Sequence, residues 1–256
     1  MQAMRTVLIT GASSGIGAAC AEVLAAEKKY RFLLCARREE KLNNTKEAIL
    51  LQHPNCEIFT FLLDVRNASD VESQLNALPE AWRKVDVLIN NAGLSQGLDT
   101  IDQGDIGDWD RMIDTNVKGL LYVTKFVIPL MAESKAPHIV NIGSIAGKEV
   151  YPKGNVYCAT KHAVDALTQA MRIDLLEKGI KVSSIDPGMV ETEFSEVRFR
   201  GDKEKAKNVY QGVEALSGTD IAEIIAFILS RPAHVNINDL LVMPTAQANG
   251  SIVIRK

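Results

Sequence analysis

Nothing in this chain of 256 residues is spaced to hold a metal or to exchange disulfides. Its four cysteines, at 20, 35, 56 and 158, include no Cys-x-x-Cys pair, so neither a zinc site nor a redox dithiol is indicated. Cys35 and Cys56 fall in or beside expected strands and read as small apolar residues, reduced in the cytosol. His138 and His162 lack ligand spacing, so no metal is expected. The net charge of −3 and the dispersed Lys and Arg provide no basic face for a nucleic acid or an anionic membrane surface. The longest apolar segment, residues 120–131, is broken by Lys125 and is far short of the roughly 20 residues a bilayer demands. Met1-Gln2-Ala3-Met4-Arg5 runs straight into an expected strand with no apolar leader, and no repeat, low-complexity stretch or linker interrupts the rest. The expectation is one cytoplasmic domain spanning residues 1–256, acting on a small molecule.

What the chain does have is alternation. Short apolar runs at 6–10, 32–36, 57–63, 85–89, 138–142, 181–185 and 240–243 read as strands. Helical stretches lie between them at 16–26, 39–51, from 69, 108–131 with Asp108 as N-cap, 155–176, and up to 229 from a Thr219 cap. Strands this apolar are buried on both faces, as in parallel sheets. The fold class is therefore α/β: a doubly wound, Rossmann-type parallel sheet of seven strands with helices on both faces. Residues 187–218 lack a clear strand, follow strand six and mix charges with glycines, which predicts a mobile flap over a ligand site.

The chemistry sits at the strand ends. Thr10-Gly11-Ala12-Ser13-Ser14-Gly15-Ile16-Gly17 joins strand one to a helix, and such a loop lets backbone amides and a helix N-terminus meet a pyrophosphate. A tight turn with no ligand would use the same glycines. At the end of strand two, where NAD-binding sheets carry a carboxylate, stand Arg37 and Arg38. Guanidinium groups pair bidentately with phosphate, so the 2′-phosphate of NADP is expected there; the alternative is a solvated basic start to the next helix. Asp64 and Val65 end strand three, where the carboxylate either accepts from an adenine amino group or caps a turn. Asn91, Ala92 and Gly93 end strand four and leave room for a ribose. Ser144 ends strand five, as a substrate hydrogen-bond partner or as a cap. Tyr157 and Lys161, four apart on a helix, share a face. An ammonium beside a phenol pulls the phenol pKa down from about 10, as a general acid/base requires. Loop and pair together point to hydride transfer with the tyrosine handling the proton.

These motifs, with Asn116 and Pro187-Gly188, stand in an order and spacing that resembles the short-chain dehydrogenase/reductase family from end to end. The resemblance implies Tyr157 as acid/base, and Lys161 as the group lowering its pKa and holding the nicotinamide ribose. It implies Ser144 as the group orienting the substrate oxygen, and Asn116 as holder of a relay water. It also implies cofactor contacts along the glycine loop (Gly11, Ser13, Ser14, Gly15, Ile16, Gly17) and at Pro187, Gly188, Val190 and Thr192. Within that family, Val197-Arg198-Phe199-Arg200-Gly201-Asp202 and Pro232-Ala233-His234-Val235-Asn236-Ile237-Asn238 are similar to the NADP-dependent 3-hydroxy acid dehydrogenases, a group that includes serine dehydrogenases and malonic semialdehyde reductases. Such enzymes are typically homotetramers. A hydroxy acid needs a cation for its carboxylate, and Arg198 on the flap is the candidate; its alternative is a solvated charge paired with Glu196 or Asp202. Two other readings stay open: a broad carbonyl reductase of ketones, diketones or sugars, and a non-enzymatic dinucleotide-binding regulator, whose mark would be a damaged Tyr/Lys/Ser set.

Overall fold

The computed structural model describes residues 4–256; the expectation for the N-terminal residues 1–3 lies outside the described residues. Seven strands form one parallel sheet: β1 Arg5–Thr10, β2 Tyr30–Ala36, β3 Ile58–Leu62, β4 Val87–Asn90, β5 His138–Ile142, β6 Lys181–Pro187 and β7 Asp239–Val242. Their order is β3-β2-β1-β4-β5-β6-β7. The sequence order reverses between β1 and β4, which pair in parallel from Val7 with Val87 to Ile9 with Ile89. A crevice opens at such a reversal, beyond the carboxyl ends of the strands.

Strand periodicity splits the core in two. Val7, Ile9, Phe32, Leu34, Val87 and Ile89 point to one face, where α1 (Gly15–Ala26), α2 (Glu39–Gln52) and α9 (Gly218–Leu229) cover them. Leu8, Leu33, Cys35, Leu88 and Ile139 point to the other, under α3 (Ala68–Asn76), α5 (Leu120–Val127) and α6 (Asn155–Asp174). With both faces covered, central positions need no polar alternation, which is why the runs are apolar throughout.

Three expectations are corrected. The helix expected from Asp108 to Met131 is not continuous: α4 (Ile106–Ile113) passes through a π-turn at Asp114–Gly119 into α5, and Pro129 sits in a closing 3₁₀ turn, Ile128–Met131. Its N-cap is Asp105, whose carboxylate accepts the Asp108 N–H, so Asp108 lies in the first turn. Helix α9 is capped by Ser217 in a capping box with Asp220, not by Thr219. The segment after β6, expected without a clear strand, carries two short helices, α7 (Phe194–Arg198) and α8 (Lys203–Tyr210), with an isolated bridge from Val190 to Leu216. Among the described residues, no helix is long and apolar enough to cross a membrane.

Candidate active site

A cleft of about 430 Å³ runs along the carboxyl ends of β1 to β6. That lies within the roughly 300–1,000 Å³ of a small-molecule site, and the cleft is open to solvent along its length. Its walls follow the strands. Gly11, Ser13, Ser14, Gly15 and Ile16 come from the loop after β1, and Arg37 and Arg38 from the end of β2. Asp64 and Val65 follow β3; Asn91, Ala92 and Gly93 follow β4. Ser144 follows β5, Tyr157 and Lys161 reach in from α6, and Pro187, Gly188, Val190 and Thr192 follow β6. Three expected residues, Gly17, Asn116 and Arg198, do not line this cleft. Gly17 lies behind the loop, where a Cβ would fall 2.6 Å from the Gly11 carbonyl and 2.5 Å from Asn91 Nδ2. It serves close packing of helix on strand end rather than ligand contact.

The broad end is built for an anion. Helix α1 begins at Ser14 with no side-chain cap and no acidic residue in its first turn, leaving its amides and positive dipole end facing the cleft. Asn91 Nδ2 steadies the loop by donating to the carbonyls of Thr10 and Gly11, at 2.9 and 3.1 Å. Arg38 is not a free solvated charge. Its guanidinium donates to Ser14 Oγ (2.9 Å), Ser13 Oγ (3.3 Å) and Glu193 Oε2 (2.9 Å). Lys41 pairs with the same Glu193. Burial pushes the Glu193 carboxyl up, but the bonds from Lys41 and Arg38 outweigh it and hold it below its ordinary value. A carboxylate from the flap thus occupies cations beside the uncapped helix. Asp64 caps its turn by accepting the Arg66 N–H at 3.1 Å and pairs with the Arg66 guanidinium at 2.5 Å.

The narrow end holds the buried polar groups. In the π-turn, Asn116 Oδ1 accepts the Leu94 N–H at 2.8 Å, while Nδ2 donates to the Leu94 carbonyl at 2.8 Å and to Thr160 Oγ1 at 3.0 Å. Asn116 therefore ties α6 to the β4 edge from behind the cleft. Ser144 does cap a short turn, its Oγ accepting the Ala146 N–H at 3.1 Å, yet it lines the cleft as well. Lys161 donates to the Ile142 carbonyl at 2.8 Å, and burial pulls its pKa down to about 8 against the attraction of Asp186. Burial likewise pushes the Tyr157 hydroxyl above its ordinary value, with Tyr151 adding to the rise and Arg198 and Ser144 opposing it. The expected depression of the Tyr157 pKa by Lys161 is thus corrected. The ammonium is committed to a backbone carbonyl, and desolvation dominates the phenol.

The opposing cation is Arg198, 5.5 Å from the Tyr157 ring centre and 5.2 Å from that of Phe194, which itself packs edge-on to Tyr157. Its Nε donates to Ser95 Oγ and its Nη2 to Tyr151 Oη, both at 3.1 Å. Neither Glu196 nor Asp202 pairs with it among the described residues; Arg200, its neighbour, takes Asp108 at 2.6 Å. Sequence reading missed Ser95, Tyr151, Glu193 and Lys41, because their partners lie 47 to 155 residues away.

Residues 5–203 match the family model described as short chain dehydrogenase. The chain is 42% identical to the NADP-dependent 3-hydroxy acid dehydrogenase of Schizosaccharomyces pombe, over 98% of this chain and 97% of the relative. It is 43% identical to sulfoacetaldehyde reductase 2 of Chromohalobacter salexigens, over 94% and 95%. A closed form of serine dehydrogenase complexed with NADP+ superposes with a TM-score of 0.90 at 39% identity, covering 98% of this chain and 99% of that one. A reversal-point cleft holding Ser144, Tyr157 and Lys161, with matches of this length and identity, has one consequence: the chain belongs to the short-chain dehydrogenase family.

Proposed function

We propose that this protein moves a hydride between NADP(H) and the carbinol carbon of a small 3-hydroxy acid such as serine, 3-hydroxyisobutyrate or 3-hydroxypropionate. An NADP-dependent oxidoreductase acting on a CH–OH group stands on family membership and on the NADP-dependent relative at 42% identity. The cleft fits that cofactor: uncapped helix amides and the Ser13, Ser14, Arg37 and Arg38 side chains suit two phosphate positions, and small residues at 91–93 admit a ribose. The nicotinamide, when bound, supplies or accepts the hydride.

The chain's own groups manage charge and protons. Tyr157, kept protonated by burial, is the proton donor toward a carbonyl oxygen during reduction, and Arg198 and Ser144 oppose the rise that weakens it as an acid. Ser144 directs a hydroxyl at the oxygen on which charge develops. Lys161, buried at the cleft wall, supplies positive charge, and Asn116 fixes the helix that carries it.

The observation that carries the acid substrate is Arg198. A half-buried guanidinium stands over the acid/base ring, donates only to neutral hydroxyls, and has no carboxylate partner among the described residues. A half-buried guanidinium beside a ligand space, bonded only to neutral groups, suits an anion. A carboxylate two bonds from the reacting carbon supplies that anion while the hydroxyl meets Tyr157. We take residues 187–218 to be a flap that closes over this pair, and the working form to be a cytoplasmic homotetramer. The test follows NADP+ reduction optically with L-serine, D-threonine, 3-hydroxyisobutyrate and 3-hydroxypropionate beside neutral alcohols, and the reverse reaction with neutral ketones and sulfoacetaldehyde. Preference for an acid supports the reading. Preference for neutral ketones would replace it with a broad carbonyl reductase.

A further inference from the structure

Beneath the cleft, on the side of Ser144 away from the ligand space, lies a carboxylate that the proposed chemistry does not use. Asp186 is the penultimate residue of β6 and is 1% exposed. Its Oδ1 accepts the Ser144 backbone N–H at 3.2 Å and the Ser184 hydroxyl at 2.8 Å. Its Oδ2 accepts no hydrogen bond and faces Lys148 Nζ at 3.5 Å. Residue 143 shows how tightly the group is set: a Cβ on Gly143 would fall inside the Asp186 carboxylate. Only glycine before the serine lets a side chain from the next strand reach the serine's amide.

We propose that Asp186 is a positioning residue that acts through Ser144, clamping the serine's backbone so that its hydroxyl stays aimed into the cleft, while its charge sets the field beneath the acid/base groups. A carboxylate accepting an N–H makes a charge-assisted hydrogen bond, here a long one at 3.2 Å. The Ser144 hydroxyl also accepts the Ala146 N–H at 3.1 Å and reaches the Pro187 carbonyl at 3.4 Å, so the carboxylate fixes the backbone end of a side chain whose hydroxyl is already directed.

The charges around it are accounted for element by element. Lys148, following the serine turn, contacts Asp186, Asp165 of α6 at 2.5 Å and Asp239 of β7 at 3.3 Å. Arg172 of α6 takes the other oxygen of Asp239 at 3.3 Å. Burial pushes the Asp186 carboxyl up, Ser184 and Lys148 pull it back, and Asp239 and Asp165 raise it further. On the cleft side Lys161 feels Asp186, which supports its protonated form against burial. Tyr157 lies beyond, with Tyr151, Cys158 and Arg198 as its own charged or titratable neighbours.

The inference rests on Ser144 and Tyr157 being the working pair, and a double-mutant cycle separates the two ideas. Ser144→Ala should lower kcat on the order of 10²–10³-fold, and Asp186→Ala should lower it without changing the dissociation constant of NADP+. In the Ser144→Ala background, and at a pH below the alkaline limb where Lys161 keeps its proton in either variant, Asp186→Ala should cost nothing further, since a clamp with nothing to aim has no effect. Asp186→Asn can keep both Oδ1 contacts on its amide oxygen while it removes the charge and turns an NH2 group toward Lys148, so it carries the test if the alanine variant does not fold. Its alkaline limb of kcat/KM should move to lower pH, because Lys161 loses the anion that holds its proton. Additive losses in the cycle, or an unmoved alkaline limb in Asp186→Asn, would overturn the role of Asp186 alone. Full turnover in Ser144→Ala would overturn the site reading and this inference with it.

Discussion

The guanidinium of Arg198 lies 5.5 Å from the centre of the Tyr157 ring, so the side chain proposed to meet the substrate's carboxylate also bears on the acidity of the phenol. Arg198 opposes the rise that burial imposes on Tyr157. Arg198→Ala should therefore act twice. Loss of a charge-assisted hydrogen bond of about 1.5–3 kcal/mol should lower kcat/KM for L-serine on the order of 10–100-fold, chiefly through KM. The Tyr157 limb of the kcat profile should also move to higher pH. A neutral alcohol should show the second effect and little of the first. An unaltered KM for L-serine would remove Arg198 from substrate binding.

Tyr157→Phe removes the proposed proton carrier and leaves its ring packed against Phe194. Turnover should fall by about 10²–10⁴-fold. Fluorescence titration should give an NADP+ dissociation constant within about two-fold of wild type, since nothing in the Arg38 region is touched. Wild-type turnover in this variant would move the proton-handling role elsewhere.

With the 2′-phosphate placed at Arg38 as proposed, Glu193 and that phosphate compete for the same cations. Arg38 and Lys41 both hold Glu193, so a 2′-phosphate must displace this flap carboxylate or share its partners. Glu193→Gln should tighten NADP+ several-fold and Arg38→Ala should weaken it at least about ten-fold. Neither should change NAD+ binding appreciably, because NAD+ has no charge at that position. These exposed pairs are screened, so both differences should shrink as salt rises. Calorimetric titrations at two salt concentrations check it; equal effects on both cofactors would place the phosphate elsewhere.

The strand ends were readable before any coordinates because each property is local. A glycine loop between an apolar run and a helix, arginines where a carboxylate is usual, and a tyrosine one turn before a lysine are all short-range patterns. The misreadings have local causes too. Asp105 and Asp108 both suit an N-cap, and only the backbone angle at residue 105 decides between them. The π-turn at Asp114–Gly119 differs from an α-helix by one register of hydrogen bonds, which no side-chain pattern announces. Ser217 and Asp220 do carry capping-box spacing, but with aspartate where glutamate is usual. The direction of the Tyr157 shift was out of reach for another reason. Four-residue spacing places a cation nearby, but burial and the Ile142 carbonyl decide what that cation does. Asp186 beneath Ser144 joins residues 42 apart, a contact that only β5–β6 pairing creates.

His138, at the start of β5, makes stability depend on pH. It is 1% exposed; Nε2 lies 2.8 Å from Ser183 Oγ and Nδ1 has no partner. Burial, with Lys181 and Arg5 nearby, pulls its pKa down to about 3 from 6.5. The unfolded chain accepts a proton near 6.5 and the folded protein does not until about 3. Between those values the unfolded state binds more protons, so stability rises with pH and is lost on acidification, by up to roughly 1.4 kcal/mol per unit from this group. Carboxylates titrate below about pH 5, which leaves pH 6.5 to 5 as the window where the histidine dominates. His138→Gln keeps a polar partner for Ser183 and removes the titration. Urea unfolding at pH 8 should find the variant less stable than wild type, whereas its stability should fall far less steeply from pH 6.5 to 5. Parallel curves through that window would show that the folded protein accepts the proton on His138 after all.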